Sequence, residues 1–186
     1  MRKPQQIYNL EIPDDYKIAQ VMKRDKANFE STNIWFYLGA DLRNPNFAKV
    51  GITMGDLRSR SYSSANPNYY LFCAFQCDQS TDTKQLTDIE NSALSYLDRV
   101  FAWDNGQTKR ARHMESQHLS ECYYDINFDD FFACLHDYLL DHHERYFQSV
   151  EYDYGEALHG YALSCEFNPR LELNDRRRFL RMILRY

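Results

Sequence analysis

Three polar features stand out of place in this chain. Tyr37 lies near the end of an aromatic and branched run, Asn33–Gly39, where a phenol can reach a sheet edge or a site. Arg58 and Arg60 begin a polar segment just after Gly51 kinks a second extended stretch. Glu90 sits among Leu86, Ala93, Leu94 and Leu97, on or beside a stripe whose spacing suits a helix facing a sheet. A carboxylate there is costly unless it is paired or holds a cation. Together these types could manage a proton, a phosphate and a divalent ion. Each also has an ordinary reading: a satisfied core tyrosine, a solvated arginine, a boundary glutamate, a glycine at a bulge. Their joint order decides between the two.

The elements that must position them can be read from periodicity and breakers. Asn33–Gly39 reads as a strand ended by its glycine, residues 41–46 as a turn rich in Asp, Asn and Pro, and Phe47–Thr53 as the second strand of a hairpin. Gly55-Asp56 opens a polar helix to about Ser64, and Tyr69–Cys77 is a third strand. Leu86, Ile89, Ala93, Leu94, Leu97, Val100 and Phe101 predict a long helix over Thr83–Phe101. Residues 103–119 read as a polar loop and Glu121–Tyr124 as a short extended piece. Phe128, Phe131, Phe132, Leu135, Tyr138 and Leu139 mark another amphipathic helix, and Asn174–Arg185 a basic one. The expectation is an α/β (α+β) fold with a small, antiparallel-containing central sheet of about three to four strands flanked by helices. An N-terminal arm (1–30, with a short helix around Asp15–Asn28) precedes the domain of 31–145, and a C-terminal extension (146–186) follows it.

Composition narrows the class. The chain has 186 residues, 44% hydrophobic and 26% charged, which excludes wholesale disorder. No apolar run approaches the roughly 20 residues of a membrane helix, and the start lacks a secretory apolar stretch. Five cysteines without a C-x-x-C pair argue for reduced thiols in a cytoplasmic setting. The net charge of −5 argues against coating nucleic acid with the whole surface. That charge is concentrated: residues 120–160 carry ten acidic side chains against one basic, while 161–186 carry six basic against three acidic. The strip from Lys49 to Arg60 holds three cations against Asp56 alone, so a focused phosphate site stays open.

The order of these residues resembles the GIY-YIG nuclease superfamily, in its phage-type branch related to the meiotically up-regulated fungal domain. Ile34-Trp35-Phe36-Tyr37-Leu38 looks like the first motif, with Trp35 where that motif carries Gly. Lys49-Val50-Gly51-Ile52-Thr53 looks like the second, Asp56-Leu57-Arg58-Ser59-Arg60 like the arginine segment, Ile89-Glu90 like the metal-binding glutamate, and Glu121-Cys122-Tyr123-Tyr124 like the closing strand. The resemblance spans about residues 33–140. It implies that Tyr37 contacts the attacking water or takes its proton, and that Lys49 contacts phosphate or orients that water. By the same resemblance Gly51 admits the backbone closely, Arg60 stabilises phosphate charge with Arg58 flanking it, and Glu90 holds one Mg²⁺ (or Mn²⁺). Asn127 is its nearest stand-in for a late asparagine. The implied activity is metal-dependent cleavage of DNA. A catalytically silent module on the same scaffold, binding DNA or inhibiting a DNA-acting protein through residues 120–160, is the alternative.

The tail adds a further reading. Arg178, Arg181 and Arg185 recur on one helix face and could grip phosphates or dock on the acidic 120–160 stretch, in the same chain or in a homodimer.

Overall fold

A computed structural model of the protein describes residues 33–55, 66–153 and 159–186, together with residues 7, 9–12, 16, 19, 22, 26 and 57. Eight strands, three α-helices and one 3-10 turn (Glu144–Tyr146) make up the described elements. Strands β1 (Trp35–Asp41), β2 (Ala48–Thr53) and β3 (Tyr69–Gln76) precede helix α1 (Thr83–Val100). Strands β4 (Arg110–Arg112) and β5 (Leu119–Tyr123) lead into helix α2 (Phe128–His143). A hairpin of β6 (Ser149–Asp153) and β7 (His159–Leu163), then β8 (Cys165–Phe167) and helix α3 (Leu173–Ile183), complete the chain.

The mixed α/β class is as expected, but the sheet is larger. It has six strands in the order β4-β5-β2-β1-β3-β8, every pairing antiparallel, rather than three to four. The added edge strands, β4 and β8, are three residues each, too short for alternation to announce them. β4 also lies within the stretch expected as loop. The first strand does not stop at Gly39 but runs through it to Asp41. Of the arm, Tyr16, Ala19, Met22 and Lys26 are helical, as expected. In the segment after β2, Leu57 is helical, while Arg58 and Arg60 lie outside the described residues.

One face of the sheet carries the main core. Phe36, Leu38, Val50, Phe72 and Phe75 pack against Leu86, Ile89 and Leu97 of α1, Phe132 and Leu135 of α2, and Phe179 and Ile183 of α3. Phe72 is the hub. Rings of Phe128, Phe132, Phe167 and Phe179 surround it edge-on at 4.7–5.7 Å, and each such contact contributes about 0.5–1.5 kcal/mol beyond area burial. Residues 146–186 therefore share the core of the preceding residues and add β8 to their sheet.

Helix starts follow local chemistry. Asp82 and Gln85 form a reciprocal capping box at α1. The side-chain oxygen of Asn127 accepts from the N–H groups of Asp129 and Asp130 at α2. The basic tail docks on this acidic helix: Arg178 forks onto Asp129, and Arg185 onto Asp141 with Asp137 alongside at 3.3 Å. Charge complementarity within one chain thus accounts for part of the acidic block. Among the described residues no helix is long and apolar enough to cross a bilayer.

Candidate functional site

The opposite face of the sheet holds the candidate site. Alternation along β1 sends Trp35, Tyr37 and Gly39 away from the main core, and pairing with β2 sets Tyr37 across from Gly51 and Gly39 across from Lys49. Both glycines are there because an aromatic ring fills the space a side chain would take. A Cβ at Gly51 would stand 2.4 Å from Cζ and Oη of Tyr37. A Cβ at Gly39 would stand 2.3 Å from Oη of Tyr69.

Tyr69 reaches this face through a bulge. Leu38 pairs with Cys73 and Gly39 with Leu71, so Phe72 is the extra residue. Phe72 and Cys73 both enter the main core, and the alternation beyond them is reversed. Leu71 thereby joins Trp35, Tyr37 and Ala74 in a second buried cluster against which Leu57 packs, and Tyr69 lies over Gly39 on the same face. Without the bulge Tyr69 would face the helices. Trp35 is spent in this cluster, 4% exposed.

Lys49 joins the groups electrostatically. Its ammonium lies 5.9 Å from the centre of the Tyr69 ring, and its strand partner on the other side is Cys122. Burial, and then the neighbouring Tyr37 and Cys122, push the Tyr69 phenol well above its ordinary value. The Cys122 thiol is also raised by burial, against the pull of Lys49 and a hydrogen bond from Ser120.

Glu90 approaches from the other layer. It flanks the buried stripe of α1 and is half-buried. Glu121 meets it from β5: Tyr123, two residues along that strand, donates from its hydroxyl to the Leu94 carbonyl, one helical turn beyond Glu90. Burial first, and the Glu121 charge second, push the Glu90 carboxyl up to about 7, with Lys49 pulling it back. The structure thus gathers Tyr37, Gly51 and Lys49 on one face, and Glu90 belongs to the helical layer, coupled to that face through Lys49.

The remaining expected residues lie elsewhere. Asn127 spends its side-chain oxygen on the α2 cap. Arg178 is engaged by Asp129 and lies over the Phe179 ring at 4.1 Å. Arg181 is exposed on the same helix. His143, one of two adjacent histidines, hydrogen-bonds Ser92 across α1 and α2 at 2.9 Å.

Two carboxylates, Glu90 and Glu121, are the hard oxygen donors at this place. Among the described residues no group of three or more His, Cys, Asp or Glu could hold an ion. The Glu90–Glu121 pair offers carboxylate oxygens whose mutual repulsion a cation would offset, and Mg²⁺ commonly takes one or two carboxylates with water and substrate oxygens. Sequence reasoning singled out neither Tyr69 nor Glu121 as site residues. The signal available for Tyr69 was Gly39, an in-strand glycine opposite Lys49.

No family model, curated protein or solved structure matches this chain, so its site is read from its own residues.

Proposed function

We propose that the protein is a metal-dependent DNA endonuclease that hydrolyses phosphodiester bonds through a GIY-YIG-type site. The observation that carries this reading is the Tyr37 hydroxyl lying against Gly51, on the face of Lys49, with Lys49 in turn coupled to a half-buried Glu90. In-line attack of water at phosphorus needs a group to orient or deprotonate the nucleophile, and charge to meet the phosphoryl oxygens. Tyr37 and Lys49, two residues apart in register on one sheet face, supply the first. Arg60, with Arg58 beside it in sequence, supplies the second. Glu90, helped by Glu121, would hold the Mg²⁺ or Mn²⁺, which when bound polarises a scissile phosphate.

The test is incubation of purified protein with plasmid and oligonucleotide DNA in Mg²⁺, Mn²⁺ or EDTA. Tyr37→Phe, Lys49→Ala, Arg60→Ala and Glu90→Ala are run in parallel. Cleavage that needs metal and is lost in Glu90→Ala and Arg60→Ala is expected. Cleavage that survives both substitutions overturns the site. DNA binding without cleavage in any metal turns the reading to the silent module. The acidic block favours that second reading little, because Asp129, Asp137 and Asp141 are already held by Arg178 and Arg185.

A further inference from the structure

Beside the candidate site, the sheet ends in a surface that the proposed reaction does not use. Trp103 and Tyr124 are large aromatic residues left 45% and 42% exposed. Lys109 ties them together: its ammonium lies 4.8 Å from the centre of the Trp103 indole and donates at 2.9 Å to the carbonyl of Asp125, the residue after Tyr124. The Tyr124 N–H donates to the Lys109 carbonyl, which makes the two residues cross-strand neighbours, and the Tyr124 ring leans edge-on against Phe47 at 5.1 Å. An open pocket of about 510 Å³ adjoins it, with Asn46 and Asp125 on its lining. Tyr124 follows Cys122, the strand partner of Lys49, by two residues, which sets its backbone roughly 8 Å from that of Lys49.

These parts have a common chemistry. Stacking on exposed rings is how proteins hold bases that have no pairing partner, and a cation between the rings meets the connecting phosphate. Amide and carboxylate groups in a neighbouring pocket meet the hydrogen-bonding edge that pairing would otherwise occupy. A paired duplex offers neither the base faces nor those edges at its surface. Asp125 is unsuited to a phosphate but suited to an exocyclic amino group, so the pocket takes the base and Lys109 the backbone.

We propose that Trp103, Lys109 and Tyr124, with the pocket of Asn46 and Asp125, bind an unpaired nucleotide stretch next to the scissile phosphate. The substrate class is then DNA with a single-stranded segment, such as a flap or a branch, rather than continuous duplex. This rests on the nuclease reading for its place beside a cleavage site, but the binding surface stands separately.

The chain holds two tryptophans, and Trp35 is buried, so emission quenched by a bound strand reports on Trp103. The protein is titrated with a twelve-residue oligothymidylate, an oligocytidylate and a blunt duplex of equal length, with intrinsic fluorescence and anisotropy read together. Quenching by the single strands and not by the duplex is expected. Trp103→Ala and Tyr124→Ala should each weaken single-strand binding about five-fold or more, from the usual strength of base stacking. Lys109→Ala should weaken it and flatten its salt dependence. Lys84→Ala, on the exposed side of α1, should change nothing. Asp125→Asn should lower the preference for oligocytidylate over oligothymidylate. Duplex bound as tightly as single strands, or binding indifferent to Trp103 and Tyr124, overturns the proposal. If single strands bind as described but no DNA is cut in any metal, this surface stands and the nuclease reading falls. If continuous duplex is cut as fast as flapped DNA, the nuclease reading stands and this one falls.

Discussion

Replacing Gly51 with alanine puts a methyl group where the Tyr37 ring already lies. The new carbon would be 2.4 Å from Cζ and Oη and 2.9 Å from Cε2. Ordinary carbon contacts are about 3.5–4.0 Å, so the ring must move by about 1 Å. It has little room, because Tyr37 is 7% exposed and packed among Trp35, Leu71 and Ala74. Such overpacking costs about 1–3 kcal/mol. For a chain of this length that is a fall in Tm of roughly 2–12 °C. The backbone at Gly51 is no obstacle, since it is not among the residues with positive φ. The same substitution in a Tyr37→Ala background should therefore stabilise slightly, by about 0.4–1 kcal/mol through the unfolded chain. The sign of the effect reverses between backgrounds, and the coupling should exceed about 1.5 kcal/mol. Urea unfolding of the four proteins, followed by far-ultraviolet dichroism, measures it. An equal cost of Gly51→Ala in both backgrounds would refute the packing of Tyr37 on Gly51 and with it the geometry of the candidate site. On the proposed nuclease reading, Gly51→Ala should also lower DNA cleavage at temperatures where the protein remains folded.

Three other outcomes test separate parts of the structure. Glu90 titrates near 7 when folded against an ordinary value of 4.5, so its contribution to stability is full below about 4.5 and lost as pH rises through about 7. Metal-free protein should accordingly lose Tm between pH 5 and pH 8, and Glu90→Gln should flatten that loss; parallel curves for the two proteins would contradict the assignment. Arg185 holds Asp141, and with His136 also Asp137, below the usual carboxylate range, so its stabilisation is present above about 3.8 and fades as pH falls through the lowered values. Arg185→Ala should thus lower Tm by a few degrees at pH 7, as partly exposed pairs are worth about 0.2–1 kcal/mol each, and by almost nothing near pH 2. His136 is fully buried and accepts the Leu163 N–H at its Nε2, 3.2 Å away. His136→Ala should cost at least about 1–3 kcal/mol in chemical unfolding for the orphaned donor, and a cost below that would remove the hydrogen bond from the account.

Much of the fold was legible because long elements repeat. The apolar residues of α1 recur over five turns, and the observed helix ends one residue from the expected boundary. The β1–β2 hairpin was legible from its turn, whereas the facing of Tyr37 and Gly51 came from the register. The edge strands were not, since three residues cannot show a period. Tyr69 was hidden for a different reason: Tyr69 and Tyr70 are the same residue type, and only the bulge at Phe72 decides which one faces Lys49. Glu121 stood in a recognised closing strand, but its effect on Glu90 needs the packing of α1 against β5. The opposite charges of tail and acidic block were plain, whereas their meeting within a single chain required three dimensions.

The late position of β8 and α3 has a consequence for biosynthesis. Phe72, buried by rings from residues 128, 132, 167 and 179, has its full surroundings only when the polypeptide through Phe179 has cleared the ribosome. Until then the nascent chain presents an unpaired β3 edge and an incompletely covered aromatic surface, features that invite association between chains. Its core should therefore close only once β8 and α3 have been synthesised, and chains cut before β8 should yield aggregates or chaperone clients rather than a smaller folded unit.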